Sequence, residues 1–185
     1  MKVVELRTTL GRERALQALL VDAVTSGASI GFLPPITSAE ATAYWADVET
    51  GLGAGQRKLF VAHEGGRVIG AVQLSLCRKG NGRHRGEVEK LMVRTDHRGR
   101  GIARALMAHL EQVAQQCGLL LLVLDTRLGD VASMLYQSIG FVEAGQIPHF
   151  ARSADGRFDA TVIFYKFLNI KPITGEDYAV KTPVI

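Results

Sequence analysis

Apolar positions along this chain change period several times, and each change marks an element. Residues 12–25 place Leu16, Leu19, Leu20, Ala23 and Val24 at helical spacing. Gly27 follows, where a helix can end in the left-handed region. Residues 38–50 predict a second helix with Ser38 as its N-cap. The clearest amphipathic stripe is Ile102, Leu106, Leu110, Val113 and Cys117 within 102–117. A short fourth helix is predicted over 130–139, closed by Gly140.

The remaining segments carry strand patterns. Residues 2–7 predict a short strand, and 58–64 with 68–77 predict a hairpin across Gly65, Gly66 and Arg67. Residues 87–93 (EVEKLMV) predict a strand. So do residues 119–126 (LLLLVLDT), whose unbroken apolar run predicts burial on both faces. A last pair is predicted over 141–152 and 158–168, joined by the turn SADGR. The loop 27–35 holds the bulky Ile30, Phe32 and Leu33, and 78–86 is rich in glycine and positive charge. The order is mixed α/β, with a β–α–β unit over 87–126. One domain over 1–168 is expected, followed by an extension over 169–185 with no readable period.

A length of 185 residues, 47% hydrophobic and 22% charged, suits one packed domain and excludes a disordered or fibrous chain. The longest apolar run, Leu119 to Leu124, is far short of the ~20 residues that span a bilayer. Charges at Lys2, Glu5, Arg7, Arg12, Glu13 and Arg14 make the N-terminus a poor signal peptide, so a cytoplasmic location without a membrane partner is expected. Cys77 and Cys117 show no disulfide or zinc spacing and are expected as buried thiols, and no metal site is expected.

Charge changes the picture more. The net charge is +4, but residues 78–104 alone hold nine basic and three acidic residues. The remaining residues are therefore slightly acidic. A focused excess points to a small anionic ligand. The stretch has no aromatic residues to stack on bases, so nucleic acid is not an expected partner.

That basic stretch contains a strand, a turn with Arg98, Gly99 and Gly101, and then a helix. Amides at the start of a helix lack internal partners, and the helix dipole adds positive charge there. Glycines let an anion approach the backbone. The pattern is that of a phosphate cradle. No Lys-Ser/Thr pair follows as in a Walker loop, and Arg104 stands where a dinucleotide fingerprint needs its third glycine.

Arg98-Gly99-Arg100-Gly101-Ile102-Ala103 matches the [RQ]-x-x-G-x-[GA] motif, and from about 58 to 168 the chain resembles the GCN5-related N-acetyltransferases (GNAT). GASIGF (27–32), AVQLSLC (71–77), EVEKLMV (87–93), LDT (124–126) and ADGR (154–157) resemble the tabtoxin resistance branch of that family. The resemblance implies an α/β GNAT-like fold: a mixed, mostly antiparallel central sheet splayed between two parallel strands and flanked by helices. It also implies acetyl-CoA as cosubstrate and direct transfer to a primary amine of a small toxin or antibiotic. A peptide or protein acceptor, or an acyl-CoA-binding regulator without catalysis, is the alternative. A homodimer stays open.

The resemblance places Leu91, Met92 and Val93 along the pantetheine arm and the amides of Arg98, Gly99, Arg100, Gly101, Ile102 and Ala103 on the pyrophosphate. Thr126 and Ser133 are further candidates for CoA contact. Tyr136 matches the family's general acid, its alternative being an aromatic core residue. Glu87 stands where the family often carries its general base, or else forms a surface ion pair. Asp125 ends an apolar strand, where a carboxylate is either partnered or functional, and whether Glu87 or Asp125 is the base stays open. Ile30, Phe32, Gln73 and Ser75 are candidates for the acceptor pocket, and His149 is a weaker acid–base candidate. Neither cysteine has a sequence-visible base, which disfavours a covalent route.

Overall fold

The computed structural model describes residues 1–168, so the expected extension over 169–185 lies outside the described residues. The strands are β1 (Lys2–Leu6), β2 (Arg57–Glu64), β3 (Arg67–Leu76), β4 (Arg85–Val93), β5 (Leu121–Arg127), β6 (Val142–Arg152) and β7 (Phe158–Phe167). They form one sheet in the order β1-β2-β3-β4-β5-β7-β6. Its neighbours are antiparallel except β4 and β5. The helices are α1 (Glu13–Thr25), α2 (Ser38–Gly53), α3 (Ile102–Gln116) and α4 (Val131–Ser138). Helix α3 is the crossover that parallel strands require.

One face is packed from β2 to β7, the other over β1–β4 only. On one, Leu106, Met107 and Leu110 of α3 pack with Phe60, Ile69, Leu122 and Leu124. On the other, Leu16, Leu19 and Leu20 of α1 and Trp45 and Val48 of α2 pack with Leu59, Val61 and Ala71. Full burial of each such leucine contributes about 1.5–3 kcal/mol. The stripe expected for α1 is the one the fold buries.

Two irregularities shape the centre. Ala71 pairs with Met92 while Gln73 pairs with Glu89, so β4 carries one extra residue in that interval. Within it Lys90 takes φ +53°, and a bulge of this kind re-aims the residues beyond it. In addition, β4 and β5 pair only over Arg85–Glu87 with Leu121–Val123. Gly86 allows the close approach at that point, because a Cβ there would lie 2.7 Å from Leu74 Cδ1 and 2.9 Å from Leu119 Cδ1. Beyond Glu87 and Val123 the ladder ends and the strands splay.

Several local expectations need correction. Strand β5 is not buried on both faces: Leu122, Leu124 and Thr126 are buried, but Leu121 and Val123 are half-buried and Asp125 is exposed. The α1–α2 core does not extend over that face of β5, and at Asp125 the splay opens it further. The N-cap of α2 is Thr37 rather than Ser38, in a capping box with Glu40. Cys117 is exposed beyond the end of α3 and Cys77 is half-buried, so the thiols are not both core residues. No described helix is long and apolar enough to cross a membrane.

Candidate active site

A cleft of about 910 Å³ opens where β4 and β5 part. Its walls are β4 from Glu87 to Val93, the start of α3, the end of β5, one side of α4 and the loop after α1.

The start of α3 is an open anion site. Gly101 is the N-cap at φ +76°, and Gly99 lies at φ +74°. A Cβ added to either meets no heavy atom within 4 Å. Glycine is therefore demanded by the backbone conformation, and the space before it is free. The first helical bond runs from the Ala105 amide to the Gly101 carbonyl at 3.0 Å. The amides of Ile102, Ala103 and Arg104 thus have no partner within the helix. No acidic residue in the first turn offsets the dipole.

The loop is braced from α1. Asp22 accepts from the Thr95 amide and from its hydroxyl, both at 2.8 Å. Arg98 donates to Ser26 Oγ at 2.6 Å and lines the cleft. Arg104 also lines it, donating to Ser138 Oγ at 2.7 Å. Arg100 differs: its guanidinium pairs with Glu64 at 2.9 Å and lies outside the cleft lining. Pairing with Glu64 at the end of β2 turns the side chain away from the cleft.

Glu87, Asp125 and Tyr136 all reach the cleft. They come from opposite sides of the sheet. Glu87 alternates with Val88, which packs in the α3-side core, and Asp125 alternates with the buried Leu124 and Thr126. Both carboxylates therefore face the α1 side. Tyr136 belongs to the α3-side core beside Phe141 and Phe164. The splay gives access from both.

Their electrostatics differ. Loss of hydration, then the Glu89 and Asp125 charges, push the Glu87 carboxyl above its usual value, against Lys90 and Arg85. Burial, then Asp125 and Asp130, push the Tyr136 phenol up. Tyr136 is thereby held protonated, and the ionised form of Glu87 is disfavoured. Asp125 is fixed by the buried Thr161, whose hydroxyl lies 2.8 Å from its carboxylate and 2.9 Å from the Thr126 carbonyl.

The other sequence candidates divide. Leu91, Met92, Val93, Gly99, Gly101, Ile102, Ala103, Thr126 and Ile30 line the cleft. The side chain of Met92 is buried in the α1–α2 core, so only its backbone faces the splay edge. Ser133 lies outside the lining, its hydroxyl buried without a hydrogen-bond partner. Phe32 lines an adjoining cavity of about 660 Å³ that shares Gly27 to Ser29, Gly31, Arg127 and Ala151 with the cleft. Gln73 is fully buried and donates to the Tyr44 hydroxyl at 2.6 Å, away from the lining. Ser75 is half-buried, sits opposite Glu87 in the β3–β4 register and is not in the lining. His149 is exposed outside the cleft, whereas the β6 bulge after Ile147 brings Phe150 into it.

Lys90, Arg127, Phe150 and Thr161 also line the cleft and were not singled out in the sequence. Arg127 had a signal, since alternation along β5 puts it on the face of Asp125. Thr161 had none, because its contact depends on the β5–β7 register.

A sheet that opens between parallel strands onto a free helix N-terminus is built to hold a long phosphorylated ligand. Residues 26–141 match the acetyltransferase (GNAT) family, and the chain belongs to it. It is 32% identical over 91 residues to the L-amino acid N-acyltransferase MnaT of Escherichia coli K12, covering 49% of this chain and 53% of that protein. The chain thus spans about half the length of the curated relative it matches. The fold superposes on a ribosomal-protein-alanine N-acetyltransferase from Brucella melitensis with TM-score 0.77 and 26% identity, covering 91% of this chain and 100% of that one. It also matches the structure of yncA from Salmonella typhimurium with its cofactor acetyl-CoA, with TM-score 0.75 and 21% identity, covering 92% and 96% of the two chains. The family and its mostly antiparallel, split sheet agree with the sequence expectation.

Proposed function

We propose that the chain is an acetyl-CoA-dependent N-acetyltransferase acting by direct attack of a primary amine, and that its acceptor is a small amino-acid-like molecule. One observation carries the reading. The same cleft joins the splayed edge, the free amides of α3 and a proton acceptor and donor on opposite faces.

The residues fit acetyl-CoA. The amides of Ile102 to Arg104 suit the pyrophosphate, and the unpaired edge of Leu91 to Val93 suits the amides of the pantetheine arm. Bound acetyl-CoA supplies the thioester and the thiolate leaving group. Glu87, with Asp125 beside it, takes the proton of the attacking amine from the α1 face. A peptide α-amine has a pKa near 7.7–8 and that of a free amino acid is higher, so the amine arrives mostly protonated at neutral pH and a carboxylate of raised pKa beside it is a competent proton acceptor. As the N–C bond forms and the C–S bond breaks, the Tyr136 hydroxyl gives its proton to the departing sulfur.

The test is thiol release from acetyl-CoA across a panel of amines, with products identified by mass spectrometry. Free amino acids, β-lactam amino acids of the tabtoxin type and N-terminal peptides form the panel. Acetylated amino acids support the proposal. Acetylated peptides alone move it to a protein acceptor. Acetyl-CoA binding without any acetylated amine leaves an acyl-CoA-binding regulator.

A further inference from the structure

Arg127 has no part in the mechanism above, yet it lines both the cleft and the adjoining cavity. It stands two residues after Asp125 on β5, so the two side chains share a face, about 6–7 Å apart along the strand. Its guanidinium contacts are all long. They are the Gly27 carbonyl at 3.4 Å, Asp130 at 3.5 Å and Asp159 at 3.9 Å. A close forked pair with a carboxylate would lie nearer 2.7–2.9 Å. The group is held in position from three sides without a short partner, and it remains partly exposed.

We propose that Arg127 binds the α-carboxylate of the acceptor, so that Asp125 and Arg127 together recognise the zwitterion of a free α-amino acid. This rests on the N-acetyltransferase reading and names the acceptor class of the same site. The amine sits at the Glu87–Asp125 end and the carboxylate at Arg127. Each of those charges is opposite in sign to the β5 side chain that meets it. The acceptor's side chain then extends into the adjoining cavity, whose wall includes Phe32, Leu33 and Leu128. A peptide acceptor carries an uncharged amide where the carboxylate would be. It forgoes the short charge-assisted contact that the long pairs to Asp130 and Asp159 do not supply, and a site built for one polar group rejects an analogue that lacks it.

The experiment compares the twenty L-amino acids with their α-amides, supplied as two equimolar mixtures to the full chain with acetyl-CoA. Mass spectrometry reads the products. Acids are expected to be acetylated at least about tenfold faster than amides, the size of one lost charge-assisted contact. In Arg127→Gln that preference disappears, through a raised KM for acids with amide rates nearly unchanged. Arg127→Lys, which keeps the charge but not the fork, falls between. Equal rates for acids and amides in the parent, or an equal fall for both in Arg127→Gln, overturns the proposal. Thermal melting of the CoA-saturated protein with each mixture gives a readout independent of turnover. Should neither mixture be acetylated, the reading of turnover on small amino-acid acceptors falls by itself. Stabilisation by acids alone, lost in Arg127→Gln, still supports the carboxylate site, and equal shifts overturn it.

Discussion

Val88 and Met92 lie four residues apart on β4 and pack in opposite cores. Val88 joins the α3-side cluster and Met92 the α1–α2 cluster. An unbroken strand would point both to one face. The extra residue between Glu89 and Met92 reverses the phase, and Lys90 takes the left-handed conformation that this requires. The bulge thus leaves Glu87 on the acceptor side while the backbone of Leu91 to Val93 borders the opening toward β5.

The cost of that geometry is measurable at Lys90. A β-branched residue is least tolerant of positive φ, so Lys90→Val is expected to lower stability by about 1–2 kcal/mol. Lys90→Gly removes the steric penalty and is expected to match or exceed the parent. Denaturant midpoints at constant slope check both. Equal stability of the valine variant and the parent would show that the bulge is not fixed by Lys90.

Glu87 makes a prediction about pH. Its carboxyl is raised above the usual 4.5, and it must be ionised to accept a proton. The acid limb of kcat/KM is expected to lie above the ordinary carboxylate range, with activity rising as pH rises through it. Glu87→Gln is expected to remove that limb and lower kcat about 10²–10⁴-fold, with CoA affinity kept. The same shift affects stability in the opposite sense. The folded state holds the proton more tightly, so Glu87 lowers stability as pH rises from 4.5 through the folded pKa. Glu87→Gln should therefore gain melting temperature relative to the parent at pH 7 and not at pH 4. An unchanged acid limb in the variant would exclude Glu87 as the base.

Tyr136 separates chemistry from packing. Its ring is buried against Phe141 and Phe164, and its hydroxyl makes no hydrogen bond among the described residues. Tyr136→Phe keeps the packing and removes the hydroxyl that would donate the proton. Stability is expected to change by less than ~1 kcal/mol, while kcat falls about 10–10³-fold at unchanged CoA affinity. Stopped-flow thiol release and calorimetric CoA titration measure the two effects. Full turnover in the phenylalanine variant would return Tyr136 to a core aromatic.

Much of this was legible in the chain because period and glycine punctuation are local signals. Leu16, Leu19, Leu20, Ala23 and Val24 are buried as their spacing required, and Gly65-Gly66 closes the β2–β3 hairpin. The glycine turn before α3 revealed the anion site, since φ near +75° at Gly99 and Gly101 is something only those residues reach easily. What escaped depends on pairs distant in sequence. Arg100 turns to Glu64, Thr161 fixes Asp125 and Gln73 is sealed beneath Tyr44. No periodicity encodes such contacts. The phase reversal at Lys90 also escaped, because a one-residue bulge leaves the apolar pattern of EVEKLMV readable as an ordinary strand.

Asp22 tests whether the turn before α3 is shaped from α1. It lies on α1, the helix that leads into the loop 27–35, and it holds Thr95 through two hydrogen bonds of 2.8 Å. Ser26, one turn later, receives Arg98 at 2.6 Å. These contacts fix the turn before Gly99 relative to the end of α1. They are exposed, so losing those of Asp22 is expected to cost only about 1 kcal/mol of stability. A misplaced cradle loses a similar amount in binding. Asp22→Ala is therefore expected to raise the Kd for CoA about three- to tenfold, and Asp22→Asn, which keeps an acceptor oxygen, less. If the loop and α1 act as one unit, adding Ser26→Ala to Asp22→Ala gives less than the sum of the separate effects. Strict additivity in calorimetric CoA titrations would mean that the two contacts brace the loop independently.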